Sequence, residues 1–123
     1  MRDDDFFWAG IAAGQLLVQR CDGCGRLRHP PVPMCGDCHA LTWTAQALDG
    51  RARLHTFIVS RPPGEPGAEP RLVALVELAE GLRMVSNLVD CALDAIVPDM
   101  PLELCFRERD GRLLPQFRPA ADA

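Results

Sequence analysis

Six cysteines, at 21, 24, 35, 38, 91 and 105, are the residues best suited to chemistry. The first four form two knuckles, Cys21-Asp-Gly-Cys24 and Cys35-Gly-Asp-Cys38, ten residues apart. Two CxxC pairs separated by a short gap have the spacing of a four-sulfur zinc site. Each CxxC turn aims two thiolates at one point, and a hairpin brings the two turns together. Gly23, Gly25 and Gly36 offer the tight backbone such turns use. Two competing readings are weaker. A chain with no export signal does not favour disulfides. A redox CxxC would sit alone in a βαβ pattern, and here a second CxxC follows instead. His29 and His39 lie nearby, but four cysteines already fill a tetrahedron. Both histidines therefore read as surface or supporting residues. A closed four-sulfur site has no open coordination position, so its expected role is structural. Cys91 and Cys105 stand apart amid apolar neighbours and read as buried thiols; His55 is the one histidine in that half of the chain that such a thiol would need as a base.

The rest of the inventory excludes whole classes of chemistry. All 13 basic residues are arginine and none is lysine, which rules out Schiff-base lysine chemistry and a P-loop lysine. The chain contains no GxSxG, no HExxH and no His-x-x-x-Asp. A free-standing acyl-transfer enzyme would need a nucleophile with its base, or an acid–base pair beside an oxyanion hole.

The elements that must position the cysteines follow from local pattern. Asp5–Ala13 carries Phe6, Phe7, Trp8 and Ile11, with Asp5 able to cap a short helix and Phe7/Ile11 as an i,i+4 pair. Its aromatic face either packs on the body of the same chain or docks on a partner. Leu16–Arg20 reads as a strand entering the first knuckle and Arg26–His29 as the strand leaving it. Pro30, Pro31 and Pro33 stiffen the loop between knuckles, and Leu41–Leu48 alternates as a strand. Beyond Asp49-Gly50 the pattern is all-β. Arg51–Ser60, Leu72–Leu78, Leu82–Val89, Leu102–Arg107 and Arg112–Phe117 read as strands, with Leu54 and Ile58 among the apolar positions of the first. A Pro/Gly loop fills Pro62–Pro70, and a helical turn is expected over Ala92–Val97. The expected architecture is mostly β: a short N-terminal helix, a four-cysteine zinc ribbon, then a five-stranded OB-fold barrel. The corresponding segments are 1–15, 16–46, 47–119 and a tail at 120–123.

At 123 residues the chain holds about one domain, or a small metal module joined to a small barrel. Its 48% hydrophobic and 24% charged residues exclude wholesale disorder. No apolar run is long enough for a transmembrane helix. Asp3, Asp4 and Asp5 follow Met1-Arg2 where a signal peptide would need apolar residues, so the expected compartment is the cytoplasm. The net charge of −4 gives no overall basic footprint for nucleic acid.

The order of motifs resembles a known family. The Phe6-Phe7-Trp8 helix, the Leu16-Leu17-Val18-Gln19-Arg20-Cys21 entry and Cys24-Gly25 come first. Pro30-Pro31 before Cys35-x-x-Cys38, Trp43, and Leu114-Pro115-x-Phe117-Arg118-Pro119 follow. Together they are similar to acyl-CoA-associated proteins in which a rubredoxin-like zinc ribbon precedes an OB fold. The match spans nearly the whole chain, with two departures: Gly50 is followed by Arg51-Ala52-Arg53 rather than a glycine-rich turn, and some positions of the first knuckle pair lack the usual proline before or after the cysteine. The resemblance implies a non-catalytic accessory subunit with a structural zinc. Its partner would be a thiolase-superfamily thiolase or a retro-aldolase, including those of steroid side-chain breakdown, or else a MaoC-like enoyl-CoA hydratase. It also implies help in forming the acyl-CoA site, with the catalytic residues in the partner. Arginines suit the CoA phosphates, and Arg51, Arg53, Arg61 and Arg71 flank the first barrel strand and the Pro-rich loop. Phe6, Phe7 and Trp8 are the expected docking residues. The reading from another class is a single-stranded nucleic-acid OB module. It would need stacking aromatics amid basic residues. The barrel half offers only Phe57, Phe106 and Phe117, with nine basic against ten acidic residues from Arg51 to Arg118.

Overall fold

The computed structural model describes residues 4–61, 64 and 70–120. It divides into two compact units: Met1–Asp49 with Glu108–Leu114, and Gly50–Arg107 with Pro115–Ala123.

In the first unit, α1 (Asp5–Ala12) leads into β1 (Leu16–Cys21), β2 (Leu27–Arg28) and β3 (Trp43–Leu48). These strands form an antiparallel sheet in the order β2-β1-β3. The central strand β1 buries Leu16, Val18 and Gln19, and α1 adds Phe7 and Ile11 to the same core. Packing between α1 and β1 is close: a Cβ on Gly10 would lie 2.7 Å from Leu17 Cδ1. The helix begins one residue earlier than expected, with Asp4 rather than Asp5 at the N-cap. The Asp4 carbonyl accepts from the N–H groups of Phe7 and Trp8 (3.1 and 3.2 Å). Its carboxylate reaches the Trp8 indole Nε1 at 3.0 Å instead of capping the backbone.

The second unit is a closed five-stranded barrel without the 108–114 hairpin tip of its last two strands, which groups with the first unit. Its strands are β4 (Arg51–Ser60), β5 (Arg71–Leu78), β6 (Arg83–Leu88), β7 (Pro101–Arg109) and β8 (Arg112–Pro119), ordered β4-β5-β6-β8-β7. A single 3₁₀ turn, Leu93–Ala95, stands where the helical turn was expected. The interior is built from Leu54, Leu72, Ala74, Val76, Leu78, Met84, Leu88, Leu102 and Phe117. Burying an aliphatic or phenyl side chain of this kind contributes about 1.5–3 kcal/mol each. Strict alternation along β4 fails at one place. A bulge between Leu54 and Thr56 shifts the register. Leu54 therefore points inward opposite Val76, whereas Ile58 lies on the outer face opposite Val73, 64% exposed. β6 and β8 meet in parallel through one register pair, Leu88 with Phe117. The seam is tied by Val89 N–H to the Phe117 carbonyl and by the Ser86 hydroxyl to the Pro115 carbonyl, both at 2.8 Å. Pro115, which lacks an N–H, is accommodated there because only its carbonyl is used.

The Pro/Gly loop over 62–70 lies outside the described residues except for Gly64 and Pro70. Among the described residues, no helix is long and apolar enough to cross a membrane.

Candidate metal centre

The two knuckles repeat one backbone pattern. Cys21 N–H donates to the Arg26 carbonyl (2.9 Å), and Cys35 N–H to the Ala40 carbonyl (3.0 Å). Gly25 N–H donates back to the Cys21 carbonyl (2.9 Å), and His39 N–H to that of Cys35 (3.0 Å). The residue after the second cysteine must therefore turn left-handed in both. Gly25 does so at φ 77° and His39 at φ 63°. His39 thus has a backbone role in the second turn. Gly23 sits tight against the cluster: a Cβ there would stand 3.0 Å from Cys38 Sγ and 3.1 Å from Ala40 Cβ, so a neighbour would have to give. Gly36 has open space around it and no positive φ, so the turn does not depend on it.

These turns bring Cys21, Cys24, Cys35 and Cys38 together, with all four Sγ atoms within 4.8 Å of one another. The sulfur contacts with hydrogen-bond geometry cross the ribbon: 3.4 Å for Cys21–Cys38 and 3.7 Å for Cys24–Cys35. A tetrahedron with zinc–sulfur bonds of 2.3 Å has edges of about 3.8 Å. The cluster therefore has the size that a zinc ion demands, and its soft donors match that ion. Bound there, zinc would be held by four thiolates and would join the two knuckles.

The electrostatics favour a cation. Cys21 is lowered to about 6, chiefly by the Cys24 N–H, with the Cys38 thiol and Gly23 N–H adding to it against burial. Cys35 is lowered by the N–H groups of Cys38 and Asp37. At Cys24 the Arg26 N–H pulls down, but burial and the thiols of Cys21 and Cys35 outweigh it. At Cys38 the Ala40 N–H pulls down, yet the Cys21 and Cys35 thiols and burial push the group up to about 12. Four sulfurs packed this closely resist becoming thiolates together unless a divalent ion compensates them.

Neighbours hold the frame. Trp43 pairs with Cys21 across β1 and β3. Thr44 Oγ1 donates to Asp22 (2.7 Å), and Arg26 bridges to Asp37 across the knuckles at 2.6 Å. Both ends of that bridge are exposed, so it adds little stability. One supporting residue escaped the sequence reading. Gln19 is 1% exposed, and its Oε1 accepts from Arg28 Nε (2.8 Å) and Val32 N–H (3.0 Å). It fixes the loop between the knuckles; a polar residue at a buried position in mid-strand is the signal that marks it. His29 is not a ligand. Its ring lies 5.2 Å from that of Phe7, and burial lowers its pKa.

The aromatic helix is largely engaged within its own unit. Phe7 is a core residue, 5% exposed, and offers no face to a partner, in contrast to the docking expectation for it. Its ring meets Trp8 edge-on at 5.0 Å. Phe6 packs on Trp43 at 4.4 Å, and the Arg112 guanidinium lies 3.8 Å over the Trp8 ring. Phe6 and Trp8 remain half-exposed.

The four candidate arginines do not converge. Arg51 and Arg53 open the strand β4 and line a cleft of about 760 Å³ with Glu77, Leu78, Pro101 and Glu103. Arg71 pairs with Ser60 at the far end, beside Arg61. At about 3.3 Å per residue these ends are roughly 30 Å apart. The cleft also holds two carboxylates that the sequence reading left out, each opposite an arginine across the ladder: Arg53 with Glu77, Arg51 with Glu103. Cys105 is buried, whereas Cys91 is only half-buried; burial and then Asp94 raise the Cys91 thiol. A raised thiol is a poor nucleophile. Among the described residues the four-cysteine cluster is the one group able to hold a metal ion.

Comparison with known proteins agrees with this arrangement. Residues 8–44 match the ChsH2 rubredoxin-like zinc ribbon domain, and residues 45–107 match the ChsH2 C-terminal OB-fold domain. The chain is 43% identical over 121 residues to a probable enoyl-CoA hydratase alpha subunit of Thermomonospora curvata, covering 97% of this chain and 38% of that protein. It is 36% identical over 106 residues to the 3-oxo-4,17-pregnadiene-20-carboxyl-CoA hydratase alpha subunit of Mycobacterium tuberculosis, covering 85% and 34%. The chain thus spans little more than a third of the length of these two relatives. A solved chain of an Ltp2-ChsH2(DUF35) aldolase superposes with a TM-score of 0.89 at 41% identity, covering 98% of this chain and 97% of that one. With both parts matched in sequence order, this chain belongs to the ChsH2 family, a rubredoxin-like zinc ribbon followed by an OB-fold domain.

Proposed function

We propose that this chain is a non-catalytic accessory subunit of an acyl-CoA-processing enzyme, with a thiolase-superfamily retro-aldolase as its partner. The observation that carries the reading is the near-complete overlap, in both directions, with the chain from the Ltp2-ChsH2(DUF35) aldolase. The ribbon, held by its zinc, serves as a rigid platform. Phe6 and Trp8, the half-exposed rings of α1, belong to the docking surface. The Arg51/Arg53 cleft receives the phosphates of the CoA thioester, and its apolar wall of Leu78, Pro101 and Leu102 suits the pantetheine arm. Arg61 and Arg71 are too distant to bind the same phosphates. The catalytic groups reside on the partner.

A second reading is favoured by the 43% identity to the hydratase alpha subunit: the partner is then a MaoC-like enoyl-CoA hydratase. An affinity pull-down of the tagged chain from its own cell extract, with mass spectrometry, separates the two. A thiolase-like protein in near-equal amount supports the aldolase reading, and a hydratase-like protein supports the second. Recovery of the chain alone, or with nucleic acid, overturns both.

A further inference from the structure

The four sulfurs differ in exposure. Cys21 and Cys35 are 2% and 1% exposed, whereas Cys24 and Cys38 reach the surface. The close sulfur contacts, Cys21–Cys38 at 3.4 Å and Cys24–Cys35 at 3.7 Å, each join one exposed sulfur to one buried sulfur. Each also joins one knuckle to the other. We propose that this centre is a site of two-electron oxidation by peroxides, in which zinc is exchanged for two disulfides that cross the ribbon, Cys21–Cys38 and Cys24–Cys35.

In the zinc-loaded site, where a bound divalent ion would hold all four sulfurs as thiolates, an exposed one, Cys24 or Cys38, attacks the peroxide. A sulfur–oxygen bond forms, the oxygen–oxygen bond breaks, and hydroxide or an alkoxide leaves. The nearby buried thiolate then attacks the sulfenic sulfur. The disulfide forms, the sulfur–oxygen bond breaks, and a second hydroxide leaves. Each disulfide passes two electrons to one peroxide, so a site consumes two peroxides. Disulfide sulfurs no longer offer thiolate ligands, so a zinc ion held by Cys21, Cys24, Cys35 and Cys38 would be released to water. The connectivity follows the two crossing contacts, in which the sulfurs already face each other with hydrogen-bond geometry at 3.4 and 3.7 Å. The consequence is structural. Disulfides confined to each CxxC turn would leave the knuckles untied once zinc is gone. Crossing disulfides close the loops 21–38 and 24–35 and keep the ribbon folded without metal.

The test uses the full zinc-loaded chain and hydrogen peroxide. Released zinc is read with a chromophoric chelator, and disulfides are mapped after cleavage on the N-terminal side of aspartate. That cleavage gives fragments 5–21, 22–36 and 37–48, carrying Cys21, Cys24 with Cys35, and Cys38. The expected result is one zinc released per chain, fragment 5–21 linked to 37–48, and fragment 22–36 unlinked but two hydrogens lighter. All three fragments in a single linked species would mean knuckle-internal or opposite-crossing pairing, and would overturn the proposal. So would zinc release with sulfinic or sulfonic acids in place of disulfides. Retention of zinc at peroxide levels that already oxidise the methionines would overturn it as well.

Discussion

Two equivalent left-handed positions, one a glycine and one a histidine, give the ribbon a built-in comparison. Gly25 and His39 carry φ 77° and 63° at the same step of their knuckles. Forcing a Cβ into that region costs about 1–2 kcal/mol. Gly25→Ala should therefore weaken zinc affinity about 5- to 30-fold. His39→Gly relieves the same strain but loosens the unfolded chain by about 0.5–1 kcal/mol. Its zinc affinity should stay within a few-fold of wild type. Chelator competition on the two variants measures both; equal losses would show that left-handed strain at this step does not govern zinc affinity. His29 supports a pH prediction at the same scale. Burial against Phe7 lowers its folded pKa below the ordinary value of 6.5. The unfolded chain then takes up a proton first as pH falls, so stability is full above pH 6.5 and declines through the folded pKa. His29→Phe keeps a ring on Phe7 and removes the proton. The wild type should lose Tm faster than this variant between pH 7 and 5.5, in parallel thermal scans of the zinc-loaded proteins.

At the scale of elements, β4 acts as a ruler that separates two arginine pairs. Its first end contributes Arg51 and Arg53 to the cleft, and Arg61 and Arg71 flank its other end. If the cleft serves the CoA phosphates, Arg51→Ala with Arg53→Ala should raise the KM of the assembled enzyme for its CoA thioester about a hundredfold or more, from two lost charge-assisted contacts of about 1.5–3 kcal/mol each. The pair Arg61→Ala with Arg71→Ala should leave it unchanged. Steady-state kinetics of the complex, with kcat as the control, decides between them. Sequence patterning reached most of these elements, because alternation and turn residues are local signals. The CxxC spacing nominated the four cysteines for the same reason. What it could not reach was set by tertiary geometry. The bulge after Leu54 reverses the facing of every later residue of β4 and turns Ile58 outward. Phe7 is buried because β1 lies beneath the helix, which no property of the helix itself reveals. Glu77 and Glu103 enter the cleft only through strand register, information held in β5 and β7 rather than near the arginines.

For the whole molecule, the division into two units fixes how it should respond to metal loss. The core of the first unit is small: Phe7, Ile11, Leu16, Val18 and Leu48 are its buried aliphatic and aromatic members. A segment of about fifty residues with so little apolar interior depends on a staple, and structural zinc supplies about 10–16 kcal/mol of apparent folding energy in comparable peptides. The second unit contains no member of the cysteine cluster among its described residues, and it encloses a continuous interior from Leu54 to Phe117. Under reducing conditions, a zinc chelator should therefore unfold the ribbon and leave the barrel standing. Hydrogen exchange with mass spectrometry reads this directly. Amides of β1 and β3 should lose protection on chelation, while those of β5, paired on both sides by β4 and β6, should keep it. Loss of protection in both units together would show that the barrel draws its stability from the metal centre. Retention in both would show that the ribbon's small core suffices without zinc. Phe117→Ala is the converse perturbation. That ring is wholly buried at the β6–β8 seam, so its truncation should cost the barrel about 3–5 kcal/mol. The zinc stoichiometry should remain at one per chain, because no ligand lies in the unit that the substitution weakens.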